Sequence, residues 1–347
     1  MKKTIYVIFV IIIVILTILI FIVNGQRTEN KNQFADSQRT VLLEDAETTN
    51  VTVYFATEDK NYLVPINCTV NATKEVAKVA LEKLIAGPAT PGLAAVLPEE
   101  TKLLDVYALG RTVVVNFTAD FKTIAEEDAQ LAIAAIVATV LPLTDEYTLS
   151  IMVEGQALKD FYGLTDDMPF VEQYLNATED VAGETAGIPA IYYLPDQNGL
   201  YLVPQTFLFS TEDSDQGEVI TSSESTLDQD QSIALSLLTA EMVLAKLLDG
   251  PAEDSSLLSV FWPGTRVLDV DIVDRVVYVD FSRKLLDYGG GAAYENMMLD
   301  CLLYSLCGIE GIDAVQILIE GAVLDYLPEG RDISIPLKIP YLINSAV

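Results

Sequence analysis

The sequence predicts an α+β fold built twice: two tandem ββ-α-ββ-α-β units behind one N-terminal transmembrane helix. Three observations predict it. First, Leu84-Ile85-Ala86-Gly87-Pro88, Thr101-Lys102-Leu103-Leu104-Asp105-Val106 and Val113-Val114-Val115-Asn116-Phe117-Thr118 return in the same order. They return as Leu247-Leu248-Asp249-Gly250-Pro251, Thr265-Arg266-Val267-Leu268-Asp269-Val270 and Val277-Tyr278-Val279-Asp280-Phe281-Ser282, at a steady offset of 163 or 164 residues. Second, in each copy short β-branched and aromatic runs alternate with stretches whose apolar residues recur every three or four positions. Third, residues 5–23 contain Thr17 as their only polar residue. As a helix that run spans about 30 Å, the thickness of bilayer hydrocarbon.

The run at 1–25 reads as an uncleaved anchor, with a cleaved signal as the alternative. Its apolar stretch is long, and it ends at Asn24-Gly25-Gln26 without a small-x-small site. No Cys follows to accept a lipid. Lys2 and Lys3 favour a cytoplasmic N-terminus, weakly opposed by Arg27 and Lys31, and so place the rest outside the cytoplasm. Residues 26–50 are polar and acidic and read as a tether. Domain 1 is expected over 51–170, a linker over 171–188, and domain 2 over 189–342.

Within domain 1, Val51-Thr52-Val53-Tyr54-Phe55 and Tyr62-Leu63-Val64-Pro65-Ile66 predict a strand pair, answered by Ile191-Tyr192-Tyr193-Leu194 and Tyr201-Leu202-Val203-Pro204. A helix follows, capped from Asn71 or Thr73, with Val76, Val79, Ala80 and Leu84 on one face. Gly87-Pro88 stops it, because Gly accepts a left-handed C′ conformation and Pro cannot continue a helix. Then come a hairpin turning at Gly110-Arg111, matched at Asp274, and an apolar helix over 125–141, matched over 292–307. Leu131, Ile136, Val137 and Val140 correspond to Met297, Leu302, Leu303 and Leu306. A last strand covers 149–153, matched by 315–319, and each copy closes on an extended proline segment. Helices packed by one face on a largely antiparallel sheet make an α+β sandwich. Domain 2 carries an extra acidic insert at 210–232, with Glu212, Asp213, Asp215, Glu218, Glu224, Asp228 and Asp230.

The formal net charge of −31 opposes binding to nucleic acid or to an anionic membrane surface. The chain has no His, which removes the usual general base, triad partner and zinc ligand together. Of three Cys, Cys301 and Cys307 lie on different faces of one helix and cannot bridge within it; Cys68 lies in the other copy. All three read as unpaired thiols.

Taken twice, the unit resembles the GerMN domain of GerM-like sporulation and germination proteins. The helix end Leu84-Ile85-Ala86-Gly87-Pro88, the segment Pro98-Glu99-Glu100-Thr101-Lys102, the strand end Val115-Asn116-Phe117 and the exit Glu154-Gly155 carry the resemblance. So do their counterparts Gly250-Pro251, Pro263-Gly264-Thr265-Arg266, Val279-Asp280-Phe281 and Glu320-Gly321. The resemblance covers about residues 50–340. It implies a ring-building type of fold and a membrane-tethered, extracytoplasmic scaffold, with envelope or sporulation proteins as partners. Family members are often lipoproteins, and the missing acceptor Cys is a departure.

The candidates for chemistry are few. Asp105 and Asp269, Glu154 and Glu320, and the Asn116/Asp280 position recur, and paired carboxylates could serve a peptidoglycan hydrolase. A catalytic acid does not survive as Asn in one copy, so these read as structural. Phe117 and Phe281 read as core plugs. Tyr54, Phe55, Tyr62, Tyr192, Tyr193 and Tyr201 could stack on cell-wall glycan but fit half-buried strands better. Asp269-Val270-Asp271 lacks the Gly turn and distal Glu of a calcium loop, and Gly289-Gly290-Gly291 lacks the Lys and Ser of a phosphate loop. Asn176-Ala177-Thr178 matches a glycosylation sequon. The reading assigns no catalytic, cofactor-binding or metal residues and no cofactor.

Overall fold

The computed structural model describes residues 48–146, 148–159, 161–164, 174–178, 187–210, 229–339 and 342–345. The expected anchor, nearly all of the tether, and residues 211–228 of the acidic insert lie outside the described residues. The chain divides into two compact units. One comprises Val51–Cys68 and Glu75–Val347. The other joins Thr69–Lys74 to the chain up to Asn50, and within it Thr69 Oγ1 donates to Asn50 Oδ1 at 2.9 Å.

The first copy runs β1 (Thr48–Thr57), β2 (Leu63–Asn71), α1 (Val76–Ala86), β3 (Leu93–Ala94), β4 (Leu103–Leu109), β5 (Thr112–Phe117), α2 (Glu126–Val140), β6 (Thr148–Val153) and β7 (Gln156–Ala157). The second runs β8 (Ile188–Pro195), β9 (Leu202–Phe209), α3 (Gln229–Asp249), β10 (Val267–Val273), β11 (Val276–Phe281), α4 (Gly291–Cys307) and β12 (Ala314–Ile319). The main elements follow the predicted order, with the short strands β3 and β7 added in the first copy, and the class is mixed α+β. Two boundaries shift. β1 begins at Thr48, inside the stretch read as tether, and α3 begins at Gln229, inside the stretch read as insert.

The sheets differ from expectation in two ways. Each copy holds a separate hairpin sheet, β2-β1-β3 in the first and β8-β9 in the second, beside a main sheet, β4-β5-β6-β7 or β10-β11-β12. Each main sheet pairs its first two strands antiparallel but its third strand parallel, β5 with β6 and β11 with β12, and in the first copy β7 adds an antiparallel edge to β6. The intervening helix, α2 or α4, carries the chain back across the sheet, and such a crossover is what a parallel pair requires.

Local chemistry explains most boundaries. Gly87 and Gly250 end their helices at φ 77° and 75°. Their N–H groups donate to Leu84 O and Lys246 O. The hairpin at Asp274-Arg275 takes positive φ at both residues, 51° and 65°, the primed turn that matches strand twist. The cap of α1 is a correction: it is Glu75, with no side-chain cap bond, so the helix starts at Val76 and not from Asn71 or Thr73.

Buried side chains from the helix faces and strands form the core. Ile133, Ile136, Val137 and Val140 of α2 and Leu299, Leu302, Leu303 and Leu306 of α4 are buried. Leu131 and Met297, expected beside them, are half-buried. Among the described residues one helix, Gln231–Asp249, is long and apolar enough to cross a membrane. It belongs to α3, whose Ala240, Val243, Leu244 and Leu247 are buried in the protein core.

Candidate functional site

Three of the polar positions that both copies keep converge on one corner of each main sheet. At the end of β6, Glu154 takes a left-handed conformation (φ 51°), followed by Gly155 (φ 75°); Glu320 (φ 51°) and Gly321 (φ 79°) repeat this after β12. Glu154 Oε1 accepts the N–H of Ala119 at 3.1 Å, and Glu320 Oε1 accepts that of Arg283 at 2.8 Å. Both N–H groups open a short 3-10 turn, where orphan donors need acceptors. The glutamates' own N–H groups donate to Phe117 O and Phe281 O, each at 3.0 Å.

Asn116 Oδ1 accepts Gly155 N–H at 3.0 Å, and Asp280 Oδ1 accepts Gly321 N–H at 2.9 Å. The task needs one acceptor oxygen, which Asn and Asp both own. That explains why the charge differs between copies without changing the corner. Thr118 Oγ1 accepts Lys102 N–H, and Ser282 Oγ accepts Arg266 N–H, at 3.0 and 3.1 Å. Under each corner lies a fully buried phenylalanine, Phe117 or Phe281. The corner is a fastening of backbone donors in which each recurring carboxylate is committed to the chain itself.

The strand acids sit elsewhere. Asp105 Oδ1 accepts Val106 N–H at 2.9 Å, and Asp271 Oδ1 accepts Ile272 N–H at 2.8 Å. Each thus covers one donor on an outer strand, β4 or β10. Asp269 lies near Glu241 of α3, whose carboxyl is held above the usual carboxylate range by partial burial first and by Asp269 second. In the first copy the position matching Glu241 is Lys78, so this carboxylate pair belongs to the second copy alone. No group of three metal-ligating side chains occurs among the described residues.

The tyrosines divide by role. Tyr192 is buried, packed edge-on to Phe207. The backbone N–H of Tyr54 donates to Thr139 Oγ1 at 3.2 Å, and that of Tyr193 to Ser305 Oγ at 2.9 Å, so each hairpin is pinned to its own helix, α2 or α4. Tyr62 and Ser255 share a hydroxyl hydrogen bond of 2.8 Å, and Tyr201 OH donates to Pro91 O at 2.7 Å. Both of those bonds run from one copy to the other. A cleft of about 730 Å³ opens beside α2, with Tyr54, Leu131, Val137, Tyr174 and Ile191 on its walls and Lys60, Glu127 and Asn176 among its polar groups. Lys60 is ion-paired with Asp128.

Three features escaped the sequence reading. Glu295, on α4, is 2% exposed. Its carboxylate accepts Tyr288 OH and the N–H groups of Glu329 and Arg331, the latter two at 2.8 and 2.9 Å. Burial first, then Glu295, holds the Tyr288 phenol well above its ordinary value. The repeat could have pointed to it, since the matching position is Ala129, an apolar residue of a core face. The other two are asparagines. Asn176, read as a sequon, spends its side-chain amide on Leu63 N–H, Leu63 O and Pro204 O, at 2.8, 2.8 and 2.7 Å. Asn344 was not singled out at all. The weak shared signal is a leucine or isoleucine before the Asn and a small residue after it.

Burial disfavours the thiolate form of the cysteines. Burial pushes Cys301 well above its ordinary value and Cys307 up to about 11. All three cysteines are free.

Comparison with known proteins adds to this geometry. Residues 52–159 and 191–325 match the Germane family, described as sporulation and spore germination. The chain is 22% identical over 339 residues to the spore germination protein GerM of Bacillus subtilis (strain 168), covering 93% of this chain and 86% of that protein. Its fold is similar to that of the solved tandem GerMN domains of the sporulation protein GerM from Bacillus subtilis. The TM-score is 0.60 at 21% identity, over 86% of this chain and 100% of the other. The first GerMN domain of the same protein, solved alone, aligns with a TM-score of 0.31 at 22% identity, over 36% of this chain and 95% of the other.

Proposed function

The chain belongs to the Germane family of sporulation and spore germination, and from that premise we propose that it is a non-catalytic scaffold with a GerM-like role in a sporulation, germination or cell-envelope assembly. It is held to the membrane by residues 1–25, with both repeats outside the cytoplasm. One observation carries the reading. Of the polar residues the two copies share, Glu154 and Glu320, Asn116 and Asp280, and Thr118 and Ser282 accept backbone N–H groups of the fold. A duplicated catalytic site would repeat side chains facing an open cleft; this duplication repeats fasteners.

The competing reading is a carboxylate-dependent peptidoglycan hydrolase, favoured only by the Glu241 and Asp269 pair of the second copy. Incubating the soluble fragment 48–347 with purified cell wall separates the two. The scaffold reading expects no soluble muropeptides from the parent protein or from Glu154→Gln, Glu320→Gln and Glu241→Gln. Release that one of these substitutions abolishes would overturn it. In-cell crosslinking with mass spectrometry is expected to recover envelope proteins, and recovering none would count against an assembly.

A further inference from the structure

We infer that the segments 174–178 and 342–345 form a reciprocal fastener that makes the two repeats one internal dimer, with Asn176 and Asn344 as its keys. The side-chain bonds of the two asparagines match one for one. Asn176 and Asn344 both adopt the left-handed conformation, at φ 47° and 46°. This is a conformation that Asn tolerates better than most side chains. Asn176 Oδ1 accepts Leu63 N–H while its Nδ2 donates to Leu63 O, both in its own copy. Asn344 does the same with Leu202, its Oδ1 accepting the N–H at 2.9 Å and its Nδ2 donating to the carbonyl at 2.8 Å.

The third bond of each amide crosses to the other copy: Asn176 Nδ2 to Pro204 O at 2.7 Å, and Asn344 Nδ2 to Pro65 O at 2.9 Å. Proline carries no N–H, but its carbonyl remains free to accept, and Pro65 and Pro204 are matched positions. The residue after each Asn then pairs in parallel with a strand of the other copy, Ala177 with Thr206 of β9 and Ser345 with Asn67 of β2. Thr206 Oγ1 donates to Leu175 O at 2.8 Å, and Asn67 Nδ2 donates to Ile343 O at 2.9 Å. The bonds from Tyr62 to Ser255 and from Tyr201 to Pro91 obey the same exchange.

Such i-to-j and j-to-i contacts are the signature of an isologous interface, here between two parts of one chain. Each closing segment thus bonds a hairpin strand of its own copy and one of the other, and ties the two together. A scaffold fastened this way offers its two copies to partners at one fixed spacing. The inference concerns the coupling of the copies and stands whether or not the proposed cellular role does.

Hydrogen exchange on the full chain tests it. Asn344 touches Leu202 and Pro65 but not the Leu63 amide, which Asn176 holds. If the fastener is reciprocal, Asn344→Ala speeds exchange at both Leu202 and Leu63, each by at least about tenfold, the loss of one to three hydrogen bonds. Asn176→Ala speeds the same two amides. Exchange accelerated only at the amide each residue contacts would overturn the inference and leave two independent caps. Asn344→Asp keeps the acceptor for Leu202 N–H and loses both donations, and serves if the alanine variant fails to fold. It is expected to speed Leu63 exchange, and an unchanged Leu63 amide would likewise overturn the inference.

Discussion

The two corners solve one packing problem with different chemistry. Beneath Glu154, Phe117 stacks on Phe121 at 4.9 Å between ring centroids, and Phe121 meets Phe161 at 5.6 Å. Beneath Glu320 the matching residues are Phe281, Leu285 and Leu327, all buried, and a ring from elsewhere, Phe261, approaches Phe281 at 5.5 Å. The nearby helix position is a fully buried alanine in the first copy, Ala129, and a buried glutamate in the second, Glu295. The first copy holds its exit loop by aromatic packing. The second holds the equivalent loop by lending a carboxylate to Glu329 N–H, Arg331 N–H and Tyr288 OH. A buried carboxylate is tolerable there because donors surround it. The backbone is common to both copies, while the filling is negotiated locally among neighbours.

That comparison breaks most sharply where one copy is given the other's residue. Ala129→Glu places a carboxylate in a site built from apolar groups, and is expected to cost on the order of 5 kcal/mol and to unfold the first repeat. The reverse change, Glu295→Ala, removes charge but strands two backbone donors and a phenol, and is expected to cost about 2–4 kcal/mol. Urea denaturation of both variants checks the order. Equal losses would mean that the glutamate is not specifically served by its donors.

A subtler exchange tests the acceptor argument. Asn116→Asp and Asp280→Asn each keep an Oδ1 for the glycine N–H, so both are expected to change stability by no more than about 0.5 kcal/mol. Asn116→Ala, with no acceptor, should lose about 1 kcal/mol or more in the same assay. The smallest effect concerns the turn that meets the second copy. Burial pushes the Asp59 carboxyl up, but hydrogen bonds from Ser256, Thr57 and Asn61 outweigh it and leave the group below its ordinary 3.8. A lowered folded-state value contributes stability that is present above pH 3.8 and is lost as pH falls below it. Asp59→Asn should therefore lower the urea midpoint slightly in the neutral range and converge with the parent below about pH 4, which flattens the acid limb. Because the group is largely exposed, the change is expected to be slight.

Much of the fold was legible because periodicity and chain stops are local. Gly87 and Gly250 end helices for reasons contained in two residues. The hairpins and apolar helix faces follow from alternation and from three-to-four spacing. The corner was half legible: Glu154, Asn116 and their counterparts stood out by recurrence, and the Asn-for-Asp difference argued against catalysis. Their true work, accepting particular N–H groups, was not legible, because each bond joins residues 35 to 41 positions apart in sequence. The parallel pairing of β5 with β6 and of β11 with β12 was missed for a similar reason, since strand patterning carries no direction. Tyr174 to Thr178 looked like a linker because five residues hold too little periodicity to declare a partner.

By itself the sequence determined the duplication, the class and order of the elements, their main stops, and the family resemblance, all of which rest on residue type and near-neighbour spacing. Only the tertiary structure decided which strands run parallel, that Glu295 is buried among donors, and that each copy is closed by a segment binding the other. Those outcomes depend on hydrogen bonds whose partners lie up to 279 residues apart, as Asn344 and Pro65 do. No local pattern encodes such a partner, because an asparagine that closes an interface and one that ends a loop are the same residue until the chain has folded.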